Sequence, residues 1–159
     1  MKEMKVSNLM LDPVSKTPIV ILKDLEMKVM LPIWVGYFEA TAIALELEKT
    51  APPRPMTHDL LKNVIKKISC DVTKIIINDL RDNTFYAVIE LQKDGSLLEI
   101  DSRPSDAIAL ALRTNAPIFV EEFVLEQANS IDIEGIDTEE KWKELLETLK
   151  PEDFGKYKM

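Results

Sequence analysis

The sequence predicts an α+β domain: a mainly antiparallel, partly mixed β-sheet with helices packed on its faces. Short runs rich in Val, Ile, Leu and Met recur at strand length and are separated by turn signals such as Asp12-Pro13 and Asp94-Gly95. Helix-forming runs fall between groups of strands, so strand–helix–strand crossovers are not the repeating unit. With 159 residues, 46% hydrophobic and 30% charged, the chain is long enough to bury a core without staples.

The first third reads as a meander of three strands, Lys5 to Leu11, Pro18 to Leu25 and Lys28 to Val35. After Gly36 the pattern changes to good helix formers from Tyr37 to Lys49. That helix must stop before Pro52, Pro53 and Pro55, which remove backbone donors and stiffen the connector. Thr57 is placed to N-cap a second helix, His58 to about Ile68. Its Leu61, Val64, Ile65 and Ile68 form a stripe expected to face the core.

Lys74 to Leu80, Thr84 to Gln92 and Ser96 to Asp101 follow as a second meander, the last strand reading as buried. Pro104 suits the first turn of a helix over Ser105 to Thr114, apolar almost all round and therefore expected between layers. A short strand, Ile118 to Glu121, and a segment from Phe123 to Ala128 complete a domain over residues 1–130. Residues 131–159 form an acidic C-terminal segment. It holds a capped helix from Thr138 to Leu149 and a tail with too little apolar surface to offset its ordering entropy.

The net charge of −8 is concentrated in that segment. Residues 121–159 carry 12 acids and 5 bases, which leaves 16 acids and 15 bases for the near-neutral body. No run approaches the roughly 20 apolar residues of a bilayer span, so no membrane role is expected. The single cysteine, Cys70, precludes an intrachain disulfide and a Cys-cluster zinc site, and the start lacks the apolar stretch of a secretion signal. A reducing cytoplasm is the expected compartment.

Two segments break the chemical dullness of the core-building stretches. In Arg54-Pro55-Met56-Thr57-His58-Asp59 the only histidine stands beside a carboxylate at a helix start, downstream of an arginine fixed by prolines. In Asp101-Ser102-Arg103-Pro104-Ser105-Asp106 two carboxylates flank an arginine at a strand-to-helix turn. Asp101 and Asp106, with Glu39, could hold Mg²⁺ or Mn²⁺ through oxygen while Arg103 forks onto a phosphate. A structural role suits the same residues. Thr57 and Ser102 or Ser105 would be caps, Asp59 and Asp106 would meet helix dipoles, and Asp101 would pair with Arg103. Trp34, Tyr37, Phe85 and Tyr86 could stack on bases, although aromatics in strands more often pack a core. No phosphate-binding glycine loop or nucleophile elbow is present and there is only one histidine, which argues against nucleotide triphosphatases, dinucleotide enzymes and His-pair zinc sites.

The ordered blocks Leu31-Pro32-Ile33-Trp34-Val35-Gly36 with Glu39-Ala40, Arg54 to Leu60, Asp79-Leu80 before Thr84 to Ala87, and Ile100 to Ala111 resemble the bifunctional nuclease family from about Lys5 to Ala128. The resemblance implies a nuclease acting on DNA and RNA, assisted by a divalent cation. It carries over His58, Asp59, Arg103 and Arg54 as catalytic candidates and Asp101, Asp106 and Glu39 as metal candidates. In the mechanism we expect, the acids hold the cation and Arg103 and Arg54 neutralise phosphate oxygens. His58, oriented by Asp59, activates water. Self-association into a homo-oligomer through a strand edge or apolar face is also expected. The competing readings are a non-catalytic oligomeric module holding a small anion at helix N-termini, and a protein-interaction scaffold using the acidic segment.

Overall fold

The computed structural model describes residues 1–128, 130–132 and 144. Two meanders form the sheet, one of β1 (Lys2–Leu11), β2 (Pro18–Asp24) and β3 (Val29–Trp34), the other of β4 (Asp71–Arg81), β5 (Thr84–Lys93) and β6 (Ser96–Ser102). Short strands β7 (Ile118–Val120) and β8 (Ile131–Asp132) complete an eight-stranded order β6-β5-β4-β7-β1-β2-β3-β8. β7 lies antiparallel to β1 and parallel to β4, so three residues splice the meanders into one sheet. All other pairings are antiparallel, which bears out the predicted fold class.

The helices are α1 (Tyr37–Leu47), α2 (Thr57–Lys67), α3 (Pro104–Thr114) and α4 (Glu122–Gln127), the last occupying the segment left without a type by the sequence. α3 is the central one: it packs on β4 and β5 and touches both α1 and α2. Its Ala107, Ile108, Ala109, Leu110 and Ala111 are buried, as the all-round apolar composition predicts. The hairpin turns also follow the sequence, with Asp94 (φ 50°) and Gly95 (φ 77°) in the left-handed region that a tight two-residue connection requires.

Four local expectations need correction. α2 buries none of its residues: Leu61, Val64 and Ile68 of the predicted stripe are exposed. The physical reason is that α3 already covers β4 and β5, so α2 rests on the flank of α3 and is tied there by polar groups. β6 is an edge strand rather than a buried one, with Leu97, Leu98 and Ile100 exposed. Thr57 is the first helical residue and Met56 the N-cap, and it is the Asp59 carboxylate that accepts the Met56 N–H (3.0 Å). Arg103, not a serine, is the N-cap residue of α3, and Ser105 lies fully buried in its first turn. The predicted C-terminal helix, residue 144 apart, and the tail lie outside the described residues.

Asp12, placed by the sequence in a turn, is buried. Its Oδ1 accepts the N–H groups of Val14 (2.9 Å) and Ser15 (3.3 Å), and its Oδ2 accepts the Trp34 indole N–H (2.9 Å). These bonds join the β1–β2 turn to the end of β3. Asp12→Ala leaves a buried indole donor unsatisfied and is expected to cost about 2–3 kcal/mol, read from urea unfolding with an unchanged m-value.

Candidate active site

Residues that are far apart in sequence meet where three helices begin. His58 lies in the first turn of α2, Asp106 in the first turn of α3, Glu39 in the first turn of α1, and Arg103 is the N-cap of α3. His58 Nε2 is 2.8 Å from Asp106 Oδ1. Arg103 Nε donates to Asp106 Oδ2 at 2.8 Å and its Nη1 to Glu39 Oε1 at 2.9 Å. The result is a continuous polar chain, His58–Asp106–Arg103–Glu39, in which the imidazole is mostly covered (13% exposed) and the guanidinium is open to solvent (46%).

Gly36 has a part in this arrangement. A Cβ there would collide with the Glu39 carboxylate, so the glycine lets that side chain fold back over the start of α1. A side chain at position 36 would displace the Glu39 carboxylate from its present place beside Arg103.

The other candidates lie elsewhere. Asp59 does not orient the imidazole, a task that falls to Asp106. Its Oδ1 instead accepts Arg113 Nε at 2.7 Å. Arg113 was missed by the sequence reading, although a lone cation closing a buried apolar helix is a visible signal. Its side chain is 3% exposed and also donates to the carbonyls of Ala109 (3.0 Å) and Ala42 (2.9 Å), joining all three helices. Arg54 is exposed and lines a separate cavity with Lys62 and Asn63. Asp101 pairs with Val88 in the β5–β6 ladder, while Ile100 pairs with buried Ile89. Strand alternation thus separates Asp101 from Ile100, and among the described residues Asp101 makes no hydrogen bond or ion pair with the polar chain, although it borders the cleft between α2 and the sheet edge.

Of the aromatics, Trp34 and Phe85 are core residues, and the Tyr86 ring is covered by the Arg81 guanidinium at 4.0 Å.

Electrostatics favour the ionised forms of Asp106 and Asp59. The bond from His58 holds the Asp106 carboxyl below its ordinary pKa; partial burial opposes this and Arg103 reinforces it. An ionised carboxylate can only accept, so Nε2 of His58 carries a proton toward Asp106, and in the neutral ring the lone pair is then on Nδ1. Asp59 is lowered first by the Met56 N–H, against some desolvation, and then by Arg113.

The acids do not fit a divalent cation. Both oxygens of Asp106 are engaged by His58 and Arg103, Glu39 is held by the same guanidinium, and Asp101 is not gathered with them. Among the described residues no group of three His, Cys, Asp or Glu is gathered as a metal set.

A sequence profile of the bifunctional nuclease domain matches residues 20–132. The chain belongs to the bifunctional nuclease domain family. An uncharacterized protein of Mycobacterium tuberculosis is 37% identical over 164 residues, covering 97% of this chain and 98% of that protein. Bifunctional nuclease 1 of Oryza sativa subsp. japonica is 28% identical over 94 residues, 57% of this chain and 28% of the plant protein. Bifunctional nuclease 1 of Arabidopsis thaliana is 26% identical over 98 residues, 60% of this chain and 30% of that protein. In this bifunctional nuclease domain the matched region includes every residue of the polar chain. Among its described residues no helix is long and apolar enough to cross a membrane.

Two outcomes are expected. Asp59 and Asp106 ionise at lower pH in the folded chain than in the unfolded one. Their stabilisation is therefore complete above about pH 4 and is lost as pH falls through the depressed folded values. Urea midpoints measured from pH 6 down to 3 should fall in that acid window, and less steeply for Asp59→Asn. Millimolar Mn²⁺ should leave the melting temperature of the intact domain almost unchanged. In Arg103→Ala, which uncovers Glu39 and Asp106, it should raise the melting temperature by several degrees.

Proposed function

We propose that this domain hydrolyses phosphodiester bonds in DNA or RNA, with the His58–Asp106 pair as its general base. The observation that carries the reading is the 2.8 Å bond between side chains 48 residues apart, at the starts of two helices. Asp106 holds the imidazole in the tautomer with Nδ1 basic. Nδ1 accepts a proton from water as the water oxygen bonds to phosphorus, the bond from phosphorus to the leaving sugar oxygen breaks, and that oxygen takes a proton from solvent while the imidazolium returns its own to bulk water. Arg103, beside the pair and open to solvent, offers positive charge to the equatorial oxygens as charge develops on them.

Glu39 would act on position rather than chemistry by holding the guanidinium in reach. The names of the plant relatives support the reaction class, and the match spans less than a third of their length. The small-anion reading is the weaker one. Asp59 already occupies the N-terminus of α2 by accepting the Met56 N–H, and Asp106 brings a second carboxylate to the start of α3.

The test is hydrolysis of labelled DNA and RNA by highly purified chain. His58→Ala should lower kcat by about 10²–10⁴. Asp106→Asn should do nearly as much while preserving shape, because an amide can donate to Nε2 and so moves the ring proton to Nδ1. Full activity in either variant would overturn the assignment.

A further inference from the structure

The polar chain lies on a divide between two clefts. One, of about 280 Å³, has an apolar wall of Phe38, Ala42, Leu45 and Met56. The other, of about 460 Å³, runs between α2 and the edge of the sheet, with Leu61, Ile65, Ile89 and Ile100 as its apolar wall. Thr57, His58, Arg103 and Asp106 line both. Each cleft therefore presents an apolar surface on one side and the same imidazole, carboxylate and guanidinium on the other.

Phe38 stands out among the wall residues. It is 90% exposed, although the chain could have placed any polar residue there at no cost to the core. Met56 (50%), Ile100 (46%) and Leu61 (38%) are also open. A phosphodiester linkage has the matching layout, a charged group between two flat, largely apolar bases. Volumes of this order are at the small end of ligand sites and suit one base with its sugar rather than a duplex.

The geometry points to two nucleobase clefts flanking the scissile phosphate, with Phe38 as the stacking platform of the first and Ile100 with Leu61 as the floor of the second. The substrate class is nucleic acid with unpaired bases, since a base still in its pair cannot enter either cleft. Sequence preference is weak, because the cleft walls are mainly hydrocarbon and aromatic surface and every base has a π-face. The inference rests on the His58–Asp106 reading for the position of the phosphate, but binding can be measured without turnover.

The experiment uses the full chain and three labelled ten-residue oligonucleotides at fixed salt: a single strand, the same strand annealed to its complement, and an abasic strand with the same backbone. Fluorescence anisotropy should show the single strand bound at least tenfold more tightly than the other two. Phe38→Ala, harmless to folding at so exposed a position, should weaken single-strand binding about tenfold and leave the abasic strand unaffected, with Phe38→Trp restoring it. Ile100→Ser should act in the same direction.

Equal affinity for the three oligonucleotides, or for wild type and Phe38→Ala, would overturn the clefts, as would failure of every strand to bind. A change in sedimentation size in Phe38→Ala would do the same and assign the surface to self-association. Hydrolysis is scored separately: base-dependent binding by a wild-type chain that never cleaves keeps the clefts and rejects the catalytic pair, and the converse result does the reverse.

Discussion

The burial of α3 is the constraint from which the rest of the site follows. A helix sandwiched between the sheet and two other helices can carry charge only where partners reach it, because an unpaired buried charge costs several kcal/mol. α3 carries Asp106 at its start and Arg113 near its end, about two turns apart along its axis. Both are matched from the first turn of α2, Asp106 by His58 and Arg113 by Asp59. Adjacent residues on α2 project about 100° apart, which lets one turn of helix grip the other at two levels. These ties hold an amphipathic helix whose apolar stripe, Ile65 apart, stays exposed among the described residues.

The same matching produces the chemistry. A carboxylate needed to neutralise the start of α3 also orients an imidazole, and the arginine that shares that carboxylate is fixed by a third helix through Glu39. None of these groups is strained or unsatisfied in this arrangement. Each meets an electrostatic demand of the fold while leaving a lone pair or a positive charge facing the solvent clefts.

Much of this was legible in the sequence. Residue chemistry alone marked the three helix starts, because His58, Arg103, Asp106 and Glu39 sit at boundaries where a glycine or proline reorients the chain. The burial of α3 followed from its alanine and leucine content. What could not be read was which acid serves which base: Asp59 is next to His58 in the chain, but neighbours on a helix point apart, and its true partner is 54 residues away. The position of Asp101 was readable in principle, since strand alternation separates it from Ile100. That rule was masked by the proximity of Asp101 to Arg103 and Asp106 along the chain. The exposure of α2 was not readable, because the apolar spacing of a helix does not reveal whether a neighbour has already taken its place on the sheet.

The three-residue splice of β7 bears on biosynthesis. Lys2 pairs with Val120 and Met4 with Ile118, so β1 leaves the ribosome well before the strand that pairs its outer edge. Until then both meanders carry an open edge, β1 on one and the hydrophobic strand β4 on the other. The nascent chain is thus most exposed to mispairing between the synthesis of β4 and that of β7, which then covers both of those edges.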